Sequence, residues 1–249
     1  MNTGNKAGLS SKDTSNRSVG GAASRGDELA LPTTAPIVRP IRNVYCIGRN
    51  YKLHAAELGN AVPSEPMVFM KPSHALTWLD GQHTLSLPLH KGAVHHELEL
   101  VLRIGRQVES GMTADEVVDG LALGIDFTLR DVQDELKKQG HPWLAAKGFL
   151  HSAPLTPFMA YPGTEATIHT PFQLKLNGNT VQQGAASDMI FNFDELIQYV
   201  AIHYGLGEGD LIFTGTPAGV GAVQEGDTLE LLWNGACAGK GVIQTTEVK

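Results

Sequence analysis

Cysteine is scarce in this chain. Only Cys46 and Cys237 occur in 249 residues, so no disulfide framework is expected and a reducing compartment is the default. No apolar run approaches the roughly 20 residues needed to cross a bilayer. No run of lysine and arginine is available to track a phosphate backbone. The 19 basic residues are outnumbered by 26 acidic ones, for a formal net charge of −7 and a pI of about 5.8, and a nucleic-acid partner is not expected. The N-terminus lacks the apolar core of a secretory signal, and no internal repeat is present. What remains is a globular composition, 42% hydrophobic and 18% charged. The 28 glycines and 13 prolines point to many turns and short elements.

Residues 1–38 are rich in Ser, Gly, Asn, Thr and Ala, with almost no aliphatic periodicity, and are expected to form a disordered tail. Arg17, Arg25 and the serines lean toward an organelle transit peptide, while Asp13, Asp27 and Glu28 oppose one. A cytoplasmic location is expected, with import through the tail left open. Residues 39–249 are expected to form one domain.

Along that domain, Ile41 to Ile47 reads as a first strand. Gly48-Arg49-Asn50-Tyr51 follows as a turn, and Lys52 to Leu58 as a short helix stopped by Gly59-Asn60. Pro66 to Pro72 reads as a buried strand between proline breaks. Asp80-Gly81 is a hairpin signal. Glu97 to Ile104 is a strand. Thr113 and Glu116 form a capping box for a helix reaching about Val118. Leu121 to Thr128 is a strand, and Asp134 to Gln139 a short helix with Gly140 as its stop. In the β-rich C-terminal third, Asn177-Gly178 is the strongest hairpin signal. Asn192 caps an amphipathic helix to about Val200, and Leu211 to Thr214 is a buried strand. The loop from Gly215 to Gly221 lacks the Gly-Lys-Ser/Thr ending of a P-loop. It can still present backbone amides and the Thr216 hydroxyl to an anion.

Glu97 and Glu99 are two apart in a predicted strand, so both carboxylates share a face, and Leu98, Leu100 and Leu102 take the other. Adjacent carboxylates repel unless a positive charge lies between them, and a hard divalent cation suits oxygen ligands. Taken alone, such a pair reads better as two acids on a solvated face. Asp126 lies among apolar neighbours, where a lone carboxylate is costly. It is either held by backbone groups or a third oxygen ligand. His54 and Glu57 share a helical face, as an incidental surface pair or as a base oriented by its acid. Lys147, beside Ala146 and Gly148-Phe149, reads alone as a snorkelling surface lysine.

The ensemble is more specific than its parts. Gly48-Arg49-Asn50-Tyr51, His54 with Glu57, Glu97-x-Glu99, Asp126 before Arg130-Asp131-x-Gln133, Lys147-Gly148-Phe149 and Thr214-Gly215-Thr216-Pro217-x-Gly219-Val220-Gly221 follow in order. As a set, over roughly Ile41 to Gln244, they resemble the fumarylacetoacetate hydrolase domain family. The likeness is greatest to its small single-domain branch of acylpyruvases and oxaloacetate decarboxylases. The resemblance implies an α+β, predominantly β fold: a mixed β-roll or β-sandwich with short peripheral helices, assembled as a homodimer. It implies Glu97, Glu99 and Asp126 as ligands of Mg²⁺ or Mn²⁺, with Ca²⁺ as a substitute. It makes His54 and Glu57 a catalytic dyad on a lid segment, Lys147 a catalytic lysine near the metal, and Arg49, Arg130, Gln133 and Thr216 substrate contacts. His95 and His96 depart from the family pattern, which leads one to expect a tyrosine there. His95, on the same strand face as Glu97 and Glu99, is expected to play a supporting or structural role, with an extra metal ligand as the alternative.

The implied substrate is a small 2-oxo acid. The main expectation is hydrolysis of a carbon–carbon bond in a 2,4-dioxo acid of the acylpyruvate or fumarylpyruvate type. The metal stabilises the enolate, and His54, polarised by Glu57, activates water. The alternatives on the same site are decarboxylation of oxaloacetate and isomerisation or tautomerisation of oxaloacetate or a hydroxy-dienoate. A non-catalytic small-acid or metal-binding protein is the alternative outside enzymes.

Overall fold

From Leu98 to Ile104 every residue but Glu99 and Arg103 is apolar, a pattern that suits a strand covered on both faces. In a computed structural model of the protein, which describes residues 40–53 and 63–246, that is what forms. Leu98, Leu100, Leu102 and Ile104 enter the larger core, and Val101 the smaller one behind it. The strands in chain order are β1 (Val44–Gly48), β2 (Met67–Lys71), β3 (Leu76–Trp78), β4 (Asp80–Leu87), β5 (Val94–His96), β6 (Leu98–Ile104), β7 (Val118–Ile125) and β8 (Thr128–Leu129). They continue with β9 (Ala153–Leu155), β10 (Met159–Ala160), β11 (Phe172–Leu176), β12 (Asn179–Gly184), β13 (Leu211–Phe213), β14 (Gly221–Ala222), β15 (Thr228–Trp233) and β16 (Ala236–Thr245).

One mixed sheet runs β2-β1-β13-β6-β7-β9-β3, with β10 added beside β7. A second runs β12-β11-β15-β16-β4, and a small third runs β14-β5-β8. The helices are short and peripheral; the longest among the described residues is Phe193–Tyr204. It buries Phe193, Leu196, Ile197 and Val200, and the Asn192 side chain accepts Glu195 N–H at its start. The predominantly β fold with short helices is therefore the one expected.

Several local expectations shift. Asp80-Gly81 is not a hairpin, because β3 and β4 belong to different sheets. The chain crosses between them at buried Leu79, whose N–H bonds Leu155 and whose carbonyl accepts Lys240 N–H. The capping-box helix is only Ala114–Val117, and the next strand begins at Val118. The helix expected from Asp134 starts at Arg130 and ends where Gly140 turns left-handed. Asn177-Gly178 does close the β11–β12 hairpin, both residues having positive φ. The expected helix from Lys52 to Leu58 falls largely outside the described residues.

Glu97 sits at a break between β5 and β6, where the chain passes from the small sheet to the large one. The β6–β7 register pairs Glu99 with Gly124 and Leu98 with Ile125. One residue further, Asp126 N–H bonds the Glu97 carbonyl at 2.8 Å. This register places three carboxylates side by side. It also needs Gly124 bare: a Cβ there would lie 2.7 Å from Phe213 and 2.8 Å from Val101. Overpacking of this kind costs about 1–3 kcal/mol. Gly124→Ala is expected to lose that much stability, read as a lower urea midpoint with an unchanged slope.

Candidate active site

The residues flagged in the sequence that fall in the described chain converge on one cleft. Arg49, Glu97, Glu99, Asp126, Arg130, Gln133, Lys147 and Thr216 all line it. His54 and Glu57 lie outside the described residues. Glu97, Glu99 and Asp126 are all buried, and each offers a carboxylate oxygen within 4.8 Å of the others. Two surface acids on a solvated face are thereby replaced by an interior acidic cluster.

Burial of three carboxylates is expensive unless cations answer them, and the cations are present. Lys147, only 3% exposed, donates to Glu97 Oε2 at 2.8 Å, Asp126 Oδ2 at 2.6 Å and Thr128 Oγ1 at 2.6 Å. Its ammonium hydrogens are all used, and it is not a snorkelling surface residue. Burial alone would lower its pKa, but Asp126 and Glu97 outweigh that and raise it. Lys71 approaches from the other side, its Nζ 2.8 Å from Asp126 Oδ1. It also donates to the Phe127 and Lys147 carbonyls. Arg130 pairs with Glu97 Oε1 and donates to Gln133 Oε1 at 2.7 Å. Arg130 and Gln133 are three apart on one helix, which is why they meet. Glu99 has a different partner: Gly215 N–H donates to its Oε2 at 2.7 Å. Burial, and next the Asp126 charge, push Glu99 well above the usual carboxylate range.

This cluster fits a hard divalent cation. Its donors are all oxygen, and Asp126 Oδ1 is a buried carboxylate oxygen with no hydrogen bond of acceptable geometry among the described residues. Its contact with Lys71 is an ion pair at close range rather than an aligned bond. A dication among three carboxylates would also remove the penalty on Glu99.

The glycine-rich loop is tied to the triad by backbone. Thr214 N–H and its hydroxyl both donate to the Leu100 carbonyl. Gly215 takes φ +104, and a Cβ there would lie 2.7 Å from that of Asn50. Asn50 in turn is fully buried and joins this loop to another, donating to the Thr214 and Phe191 carbonyls and accepting Phe191 N–H. Arg49 beside it adopts φ 60, uncommon for a non-glycine residue. His95 is not part of the acidic cluster. Its Nδ1 lies 3.4 Å from Arg130 Nε, so it backs the arginine that holds Glu97. Burial, then Arg130, lower its pKa, which keeps it neutral and an acceptor.

Some lining residues had no signal in isolation. Met67, Phe69 and Trp143 form an apolar wall, with the Phe69 and Trp143 rings 5.8 Å apart. Lys137 also lines the cleft, over the Trp143 ring at 5.6 Å. Lys71 did carry a signal, as a lysine inside an apolar run read as a buried strand.

The model of the fumarylacetoacetate (FAA) hydrolase C-terminal family matches residues 43–246. The chain belongs to the fumarylacetoacetate hydrolase family. The oxaloacetate tautomerase YcgM of Escherichia coli is 42% identical over 202 residues, which cover 79% of this chain and 90% of the relative. The mitochondrial oxaloacetate tautomerase FAHD1 of Bos taurus is 40% identical, covering 83% of this chain and 93% of its own. A crystal structure of fumarylpyruvate hydrolase from Pseudomonas aeruginosa, in complex with Mn²⁺ and pyruvate, superposes with a TM-score of 0.75 at 34% identity, over 87% of this chain and 95% of that one. Fold and family are those the motifs implied. Within the family, these curated relatives favour the tautomerase alternative over carbon–carbon hydrolysis. Among the described residues no helix is long and apolar enough to cross a membrane.

Glu99→Gln separates metal binding from folding. With its folded pKa raised, Glu99 favours the folded state fully only below its unfolded value, and that contribution is lost as pH rises toward the folded pKa. In EDTA at neutral pH the neutral variant is therefore expected to melt at or above wild type. It is also expected to lose most of the melting-temperature gain that Mn²⁺ gives wild type, as scanning calorimetry would register.

Proposed function

We propose that this chain is a divalent-metal-dependent oxaloacetate tautomerase, interconverting the keto and enol forms of a four-carbon 2-oxo diacid. The likeness to oxaloacetate tautomerases carries the reaction type, and the charge layout of the cleft supports a dicarboxylate substrate. Lys147, Lys71 and Arg130 already balance the three carboxylates. Arg49 and Lys137 line the same cleft in addition. Lys137 has only Asp134, at 3.7 Å and partly exposed, as a carboxylate partner among the described residues. Burial first, and then Arg130, lower its pKa. A loaded site thus carries a surplus of positive charge, which suits a dianion better than the monoanion of a simple acylpyruvate.

A cation held by Glu97, Glu99 and Asp126, with Mg²⁺ or Mn²⁺ as the candidates, would supply Lewis acidity toward the adjacent carboxylate and 2-oxo oxygens. Lys147 keeps the triad in place and, with its hydrogens committed, does not carry substrate protons; its role is positional. Arg130, Gln133 and Thr216 orient the carboxylate end, and Arg49 with Lys137 meets the far carboxylate. Met67, Phe69 and Trp143 exclude water from one side. Tautomerisation takes a proton from the carbon next to the 2-oxo group and returns one to the oxygen, consuming no water. His54, oriented by Glu57, is the proposed base.

Carbon–carbon hydrolysis of a 2,4-dioxo acid is the second reading, favoured by the likeness to the Pseudomonas fumarylpyruvate hydrolase. Enol absorbance on fresh solution of enol-oxaloacetate decides. Protein with Mg²⁺ is expected to speed its decay, EDTA to abolish the effect, and His54→Ala to cost about 100-fold or more. Pyruvate released from acylpyruvates at a higher kcat/KM would instead make the protein a hydrolase. Lys137→Met is expected to raise KM for oxaloacetate about ten-fold, the scale of one charged hydrogen bond, with little change for acetylpyruvate.

A further inference from the structure

Gln182 lies on β12, in the five-stranded sheet, with its side chain buried. Its amide oxygen accepts Leu98 N–H at 2.9 Å and lies 2.9 Å from His96 Nδ1. Its amide nitrogen donates to Thr216 Oγ1 at 2.9 Å and to the Pro217 carbonyl at 3.0 Å. Both hydrogens and both acceptor sites of the amide are used. The orientation is forced by these partners, since a flipped amide would set NH₂ against the Leu98 N–H and oxygen against the Pro217 carbonyl.

Two proton positions follow. His96 must carry a hydrogen on Nδ1 to bond the Gln182 oxygen. Thr216 Oγ1 must accept from Gln182, so its own hydrogen has to go elsewhere. The acceptor nearest along the chain is the Pro217 carbonyl at 3.4 Å, too long for a good O–H bond. Thr216 lines the cleft. The Leu98 N–H held by the same amide belongs to the residue between Glu97 and Glu99.

We propose that Gln182 is a positioning residue: by donating to Thr216 it aims the Thr216 hydroxyl hydrogen into the cleft, as a donor to an oxygen of the bound 2-oxo acid. With its oxygen it pins the peptide between the two glutamates. The identity of the ligand rests on the tautomerase reading; the hydrogen-bond direction does not. A plain strut between sheets would share the burial but not the direction imposed on Thr216.

A double-mutant cycle separates these roles. The probe is oxalate, whose adjacent oxygens imitate the carboxylate and 2-oxo pair, titrated calorimetrically at saturating Mg²⁺, with KM for oxaloacetate measured alongside. Thr216→Val removes the donor, and Gln182→Met removes what directs it while nearly keeping the volume. Each is expected to weaken oxalate about ten-fold, and the double variant no more than either alone. Thr216→Ser, which keeps the hydroxyl, is expected to bind like wild type. If Gln182→Met does not fold, Gln182→Asn, one methylene short of Thr216, is expected to show the same loss and the same non-additivity. Independent losses that multiply to about a hundred-fold, or a Gln182 variant that binds oxalate like wild type, would overturn the proposal. Wild type that binds oxalate with Mg²⁺ yet leaves oxaloacetate unchanged would sink the tautomerase reading alone.

Discussion

Three carboxylates held out of water within 4.8 Å of one another are the constraint on which the rest of this structure depends. Their mutual repulsion grows as the local dielectric falls, so the fold must supply cations and donors at fixed places. It does so from distant parts of the chain. Lys71 comes from an edge strand, Arg130 from a helix start, Lys147 from a one-turn helix, and the Gly215 amide from a loop near the C-terminal third. None of these groups is adjacent to the triad in sequence. A chain that misplaced one of them would strand a buried charge, which typically costs 3–5 kcal/mol. The site and the fold are in that sense one energetic object.

The backbone solves the same problem by changing sheets at the site. The break at Glu97 hands the chain from the β5 sheet to the β6 sheet, and the β6–β7 register carries Asp126 back to the Glu97 carbonyl. Polar side chains that look incidental then act as seams. Asn50 and Gln182 each satisfy backbone groups on two separate segments, and both face the loop that carries Thr216. The carboxylate side of the cleft is thus cross-linked by hydrogen bonds, and long cations and aromatic rings also line it.

Much of this was legible in the sequence, and the failures have physical causes. Glu97, Glu99, Asp126, Arg130, Gln133 and Thr216 stood out through ordered motifs, and they do share one cleft. Lys147 looked like a surface residue when taken alone, because its three acceptors lie 19, 21 and 50 residues away. Lys137 and Gln182 gave no signal, since only tertiary packing puts one beside Trp143 and the other beneath Thr216. The Asp80-Gly81 hairpin failed for a related reason. Turn chemistry is local, but Leu79 is claimed by partners on two different sheets. Asn177-Gly178 succeeded because its non-local bonds, to Asp227 and to Thr228 at the start of the neighbouring β15, agree with the turn.

Family membership alone leaves hydrolysis, decarboxylation and tautomerisation all within reach of a metal-bound enolate. What favours tautomerisation is the likeness to oxaloacetate tautomerases, and the cations lining the cleft suit a dicarboxylate. The proposed chemistry presupposes that the acidic triad is the metal anchor. The most direct test is an anomalous-difference map from crystals grown with Mn²⁺ and oxalate. One dominant peak is expected within metal–oxygen bonding distance of an oxygen from each of Glu97, Glu99 and Asp126, with oxalate beside it. A peak on other residues, or ordered oxalate with no metal at the triad, would contradict it.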